Sequence, residues 1–502
     1  MSRLVSIKNG CNAEIAEYKE MIIPEYVDNP LIEALPALLT DSEVIEKIAF
    51  YPEYISDERN LDKHYRIHMV NRLFQVFQPL PMNIELENKI ARTIRQGYVS
   101  RNPLSREYAS SFNNVMNESI NEGNKIYNNN SSGFYFIGVS GIGKTTALHH
   151  VLNLYPQVIS HSAYHDKPLS MYQLVWLKQE CPHDGSIKGL MLNFFEGVDK
   201  LLGTNYFKKA CNATTDKMVT IMNKVALNTS LGLLVIDEIQ HLSLAKSGGR
   251  QKMLNFFVNL INTVGIPVIL VGTPAAMGFL VGEFRMCRRG IGVCGDMVCD
   301  RLQKDRVWEL LLNSIWHYQW TLNKIELNDE LNNILYAETQ GIPDLLIKLY
   351  AITQIYSISS GIENITTELI KKVARDNFKL VQPMIRALKS GSIREISRFE
   401  DLYIPNFDFN EIINKSKESI KLNYTAIKEA RKNDIKEEKQ KFILDNTDMQ
   451  FGTKKSNQHT SVDELSLDDI RLIVHNGANK NKNAYGALKE CGYIRDISEV
   501  IQ

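Results

Sequence analysis

Gly138-Val-Ser-Gly-Ile-Gly-Lys-Thr-Thr146 sits between an apolar run, Phe134-Tyr-Phe-Ile137, and a segment of helical character over residues 147–154. The spacing Gly-x-x-x-x-Gly-Lys-Thr, placed after a strand and before a helix, describes a phosphate cradle. Gly138, Gly141 and Gly143 let backbone N–H groups converge on an anion, Ser140 and Thr146 complete the loop, and the following helix start adds a favourable dipole. Lys144 is the residue that reaches β and γ phosphates, and the Thr145 hydroxyl is placed to join Mg²⁺. A bound nucleoside triphosphate is the direct expectation.

On either side of this loop, residues 126–322 alternate short apolar runs with longer helical segments. The runs over 134–139, 157–162, 173–178, 232–237, 267–272 and 318–322 read as strands, and 145–154, 187–202, 217–228 and 253–264 as helices. Several strands are apolar on both faces, as a covered parallel sheet requires. The prediction is an α/β three-layer core of the P-loop class. Residues 323–405 read as a helical lid and the segment after it. Residues 1–125 mix short amphipathic helices with turns at Asn29-Pro30, Gln78-Pro79 and Asn102-Pro103, and stand as an N-terminal partner-binding region. Residues 406–445 form a charged helical segment, 446–461 a polar linker, and 462–502 a small apolar tail suited to docking a partner.

The second chemical signal is Leu233-Leu-Val-Ile-Asp-Glu238. Four apolar residues ending in two carboxylates describe a buried strand whose acids emerge at its C-terminal end, where open α/β sheets bind ligands. Asp237 is the candidate Mg²⁺ residue, acting through water, and Glu238 the group that orients and polarises an attacking water. A glutamate directly after the aspartate favours ATP hydrolysis over GTP hydrolysis. In Ile266-Pro-Val-Ile-Leu-Val-Gly-Thr-Pro274, Thr273 ends a further strand that would lie beside the phosphate-loop strand and sense the γ phosphate or the water. Phe284-Arg-Met-Cys-Arg-Arg-Gly290 supplies Arg288 and Arg289, with Arg285 behind them, as candidate arginine fingers offered to a neighbouring subunit.

The 502 residues are 44% hydrophobic and 23% charged, which suits globular domains with real cores. No apolar run is long enough to span a bilayer, and the first eight residues carry no secretory h-region, so the expected location is the cytoplasm, with no membrane partner. Seven cysteines without a Cys-x-x-Cys pair read as reduced thiols, not as a metal or disulfide framework. Lysine plus arginine and aspartate plus glutamate both number 58, so the net charge of zero gives no argument for nucleic acid.

These residues resemble the AAA+ ATPases and, more narrowly, TnsC, the ATP-dependent regulators of bacterial cut-and-paste transposons of the Tn-seven kind. The matching stretches include Asn29-Pro-Leu-Ile-Glu-Ala-Leu-Pro36, Gly97-Tyr-Val-Ser-Arg-Asn-Pro103, Gly138 to Thr146, Ile239-Gln-His-Leu242, Ser247-Gly-Gly249, Met253-Leu-Asn-Phe-Phe257, Arg288-Arg-Gly290 and Ala387-Leu-Lys-Ser-Gly391. The resemblance runs from about residue 26 to 405 and more loosely into the tail. It implies homo-oligomeric rings or helical filaments around duplex DNA, sequence-independent DNA binding, a target-selection protein as one partner and a transposase at the C-terminal tail. It implies ATP hydrolysis that resets the assembly, nucleoid association when active, and no DNA cutting. It also suggests Lys178, Lys188, Lys246, Arg250 and Lys252 as DNA contacts on loops or helix starts lining a central pore. The lid stretch Gln340-Gly-Ile-Pro-Asp344 lacks the arginine usual in the wider family, and Lys348 stands nearby. A helicase-loader or origin-binding ATPase shares the same core, and a signalling ATPase without DNA affinity is the reading from another class.

Overall fold

The computed structural model describes residues 3–116, 133–244, 265–277, 295–399 and 401–402. The chain divides into two units, Met1–Ala430 and Arg431–Gln502, and every described residue belongs to the first. The expected helix at 253–264, the charged segment, the linker and the tail lie outside the described residues.

Nine strands among the described residues are β1 (Leu4–Ser6), β2 (Asn12–Ile15), β3 (Phe134–Gly138), β4 (Val158–Tyr164), β5 (Lys167–Leu174), β6 (Trp176–Glu180), β7 (Leu233–Asp237), β8 (Val268–Gly272) and β9 (Met297–Cys299). The central sheet has the order β6-β7-β8-β3-β9, and every pairing in it is parallel. Side-chain alternation divides the three innermost strands between two cores. Tyr135, Ile137, Leu234, Ile236 and Leu270 face one core with helices Ile187–Leu202 and Thr215–Asn228. Phe134, Phe136, Leu233, Val235, Ile269 and Val271 face the other, with helices Lys144–Leu152 and Pro81–Val99. The fold is therefore the expected three-layer α/β P-loop architecture of the AAA type. Phe136 has no exposed surface, and truncating such a side chain to alanine costs about 3–5 kcal/mol.

Three strand expectations are corrected. The run at 157–162 is not a strand of the parallel sheet. As β4 it joins a second sheet, order β1-β2-β4-β5, and pairs antiparallel with β5. His165 and Asp166 both adopt positive φ, at 45° and 62°, which closes a tight hairpin of matching twist without the usual glycine. The run at 173–178 straddles β5 and β6, which lie in different sheets. Residues 318–322 form no strand: Trp320 is fully buried, its backbone N–H donates to Gln354 Oε1 at 2.9 Å, and its indole donates to Glu58 Oε2 at 2.9 Å. The fifth strand of the central sheet is instead β9, beside β3.

A third core is helical. Trp308, Leu311, Leu312 and Ile315 of helix Arg306–Trp316 pack with Leu335, Leu346, Leu349 and Ile370 of the lid, so this helix belongs with the lid and not with the α/β core where it was expected. Val70, Leu73, Val76 and Leu80 join the same cluster, as do Val139 and Ile142 of the phosphate loop. The N-terminal region is likewise built into the core. Asn29 caps a short helix and donates to the Tyr98 carbonyl at 2.9 Å, while Arg101 donates to the Leu231 carbonyl at 2.6 Å. Among the described residues, no helix is long and apolar enough to cross a membrane.

Candidate functional site

Strand β3 ends at Gly138, and the chain turns through Gly143 before helix Lys144–Leu152 begins. Gly143 caps that helix at φ 96°, a left-handed conformation costly for any residue with a Cβ. Gly141, at φ 81°, is also close-packed: a Cβ there would lie 2.8 Å from Ile342 Cγ2 of the lid. Ile142 anchors the loop from below. The loop is thus a shaped backbone surface held between two cores.

The Lys144 ammonium donates to the carbonyls of Gly138 at 2.7 Å and Val139 at 3.1 Å. Burial lowers its pKa, and the charges of Glu238 and Asp237, with smaller help from Cys299 and Asp401, oppose that shift. The next side chain, Thr145, donates its hydroxyl to Asp237 Oδ2 at 3.2 Å.

Asp237 closes β7 and is only 2% exposed. A buried carboxylate needs compensation. Besides Thr145, Oδ2 pairs with the Lys178 ammonium at 3.2 Å, and Oδ1 accepts the Glu238 backbone N–H at 3.0 Å. Glu238 sits at φ 59° and so turns sharply off the strand end. Its Oε2 accepts a hydrogen bond from Gln240 Nε2. Gln240 Oε1 in turn accepts the Thr273 N–H at 3.2 Å. Because β8 lies between β7 and β3, its continuation at Thr273 arrives between the acid pair and the phosphate loop. The Thr273 hydroxyl donates to Asp401 Oδ1 at 2.7 Å, and the Ser140 N–H donates to the Asp401 carbonyl at 3.3 Å. On the lid side, the Asp344 N–H donates to the Gly141 carbonyl at 3.1 Å, and Lys348 pairs with Asp344 at 2.7 Å.

The geometry gathers Gly138, Ser140, Gly141, Gly143, Lys144, Thr145, Asp237, Glu238 and Thr273 at the C-terminal ends of β3, β7 and β8. Thr146 follows on the helix and is exposed. Lys178 is a correction: it stands inside β6 and partners Asp237, so it is on no pore-lining loop. Lys188 is at the start of helix Ile187–Leu202, as expected. Lys246, Arg250, Lys252, Arg285, Arg288 and Arg289 lie outside the described residues.

Three participants escaped the sequence reading: Lys178 in this role, Gln240 and Asp401. Lys178 did leave a trace, because a lysine inside the apolar run Leu174-Val-Trp-Leu-Lys178 calls for an acidic partner once buried. Asp401 left none, being 128 residues from Thr273.

The donor set suits magnesium and phosphate. Thr145 and Asp237 present hard oxygens to one point, the chemistry Mg²⁺ takes. A helix N-terminus preceded by two positive-φ glycines presents backbone amides to an anion, and nothing lies within 4 Å of where a Gly143 Cβ would stand. Among the described residues, no group of three or more His, Cys, Asp or Glu side chains could hold another metal. Cys299 is half-buried, and desolvation pushes its thiol up to about 12.

A family model supports the same fold. Residues 129–280 match the family model described as the AAA domain. No curated protein matches the chain. Among solved structures, a Walker-type ATPase of Pyrococcus abyssi is 16% identical, with 58% of this chain and 78% of that chain covered and a TM-score of 0.35. The Aeropyrum pernix ORC1 protein in complex with DNA is 13% identical, with 69% and 78% covered and a TM-score of 0.35. Domain III of the Thermotoga maritima replication initiation protein DnaA is 15% identical, with 55% and 94% covered and a TM-score of 0.29. Overlaps at this level say nothing about activity.

Proposed function

We propose that this AAA-domain chain binds ATP with Mg²⁺ at the Lys144 site, hydrolyses it, and uses the cycle to control its assembly on duplex DNA as a regulator of transposition. The observation that carries the catalytic half is the meeting of Lys144, Thr145, Asp237 and Glu238 at the ends of two neighbouring-but-one strands, with Thr273 between them. Lys144 and the backbone amides of Gly141 to Thr145 bind and orient the phosphates. Thr145 and Asp237 would hold Mg²⁺, which when bound would supply positive charge to the phosphates. Lys178 keeps the Asp237 carboxylate in place. Glu238 accepts the proton of the attacking water as that water's oxygen bonds to the γ phosphorus, the bridging P–O bond breaks, and ADP and inorganic phosphate leave. Thr273 senses the γ phosphate.

The transposition half rests on the TnsC resemblance. Arg288 or Arg289 completes the site in a neighbouring protomer, Lys188, Lys246, Arg250 and Lys252 contact DNA phosphates, a target-selection protein docks on the N-terminal region, and a transposase docks on the tail.

Two variants test the catalytic reading. Lys144→Ala is expected to abolish ATP binding in a calorimetric titration. Glu238→Gln is expected to bind ATP and to hydrolyse it about 100-fold or more slowly, the scale of a lost general base. Unchanged turnover in Glu238→Gln would remove Glu238 from the chemistry.

A further inference from the structure

Asp401 lies far in sequence from every motif of the site, yet it makes two contacts inside it. Its carboxylate takes the hydroxyl of Thr273 at 2.7 Å, and its backbone carbonyl takes the N–H of Ser140 at 3.3 Å. Those two donors belong to the end of β8 and to the phosphate loop, the groups the proposed ATP site turns toward the terminal phosphate. The residue is not there by chance of a loose strand. Leu402 is 5% exposed within the helical lid core, its N–H bonds to the Phe399 carbonyl, and Phe399 packs against the same core. Short helix Ile393–Ile396 leads into this turn. The carboxylate is therefore delivered by the lid.

Charge sharpens the meaning of the contact. The site already holds the carboxylates of Asp237 and Glu238 against the ammonium groups of Lys144 and Lys178, and Asp401 is among the charges that act on Lys144. A third carboxylate on Thr273 adds negative charge where a triphosphate would bring more, and like charges at short range repel. The hydrogen-bond chain also reaches the hydrolytic group. Asp401 holds the Thr273 hydroxyl, Thr273 N–H holds Gln240, and Gln240 holds Glu238.

We propose that Asp401 is a built-in brake carried by the lid: its carboxylate competes with the terminal phosphate for Thr273 while its backbone carbonyl occupies the Ser140 N–H, and its withdrawal frees the site for ATP. This rests on the ATP reading given above.

The test is calorimetric titration of the full chain with ATP and Mg²⁺, alongside steady-state hydrolysis, for the native protein, Asp401→Ala, Asp401→Asn and Lys144→Ala. Asp401→Ala is expected to bind ATP roughly tenfold more tightly, the scale of one charge-assisted hydrogen bond removed from competition, with kcat no lower. Asp401→Asn keeps an acceptor for Thr273 but loses the charge, and is expected to fall between; being isosteric, it also guards against a folding defect in the alanine variant. If the native protein binds ATP, Lys144→Ala does not, and both Asp401 variants bind equally or more weakly than native, the brake is disproved while the ATP reading stands. If the native protein and both Asp401 variants all fail to bind ATP, the ATP reading and the brake fall together.

Discussion

Asp237 meets three partners with one carboxylate: a hydroxyl, an ammonium and a backbone N–H. Burying it without them would leave an uncompensated charge, which is why Lys178 matters although it touches no phosphate itself. Lys178→Met is expected to lower stability by about 2 kcal/mol in chemical denaturation, somewhat below the range for a fully buried broken pair because the lysine side chain is 16% exposed. A change under about 0.5 kcal/mol would mean that Thr145 and the backbone suffice for Asp237. The phosphate loop, the Asp237-Glu238 pair and Thr273 were legible because their chemistry demands contiguous residues at the end of a strand. Gln240 and Asp401 were not. Each earns its place through tertiary contact, and neither residue type in its local setting signals chemistry.

At the level of elements, β4 and β5 show where periodicity misleads. Residues 157–162 look like one more covered strand, but as part of β4 they are folded by a two-residue turn of His165 and Asp166 into a hairpin of the second sheet. The three-residue β9 is too short to leave a pattern, and the alternating aromatics at 318–322 serve the lid core instead. The lid is tied to the N-terminal region by Arg66, which donates to both carboxylate oxygens of Glu363 at 2.8 Å and 2.8 Å. Hydrogen bonds from Arg66 chiefly, with the Leu322 N–H and the Arg66 charge, hold the Glu363 carboxyl below its usual pKa against the cost of burial. A carboxyl with a depressed folded pKa contributes stability that is present above its unfolded pKa, about 4.3, and is lost as pH falls through the folded value. Glu363→Gln is thus expected to cost about 2 kcal/mol near neutral pH. The gap from the native protein should close as thermal melts are taken to acid pH, and a gap constant with pH would assign the contact no electrostatic role.

For the whole molecule, the three-layer core and helical lid could be read from apolar runs and motif spacing, whereas the integration of residues 3–116 could not. Helix Pro81–Val99 covers one face of the central sheet through Leu86, Ile90, Ile94 and Tyr98, a dependence between segments that no local pattern encodes. The tail remains a proposal of its own. Deleting residues 462–502 is expected to leave ATPase activity and DNA binding intact and to abolish a transposase contact in a pull-down, while loss of ATPase activity would make the tail part of the core. With a net charge of zero, the proposed affinity for DNA would have to come from local clusters concentrated by assembly, and assembly is the step proposed to need ATP. The direct measurement is fluorescence anisotropy of a labelled duplex titrated with native protein and with Lys144→Ala, in the presence and absence of ATP and Mg²⁺ at fixed salt. Salt-sensitive binding by the native protein only with ATP, and none by Lys144→Ala, is the expected result. Equal duplex affinity with and without nucleotide would contradict it.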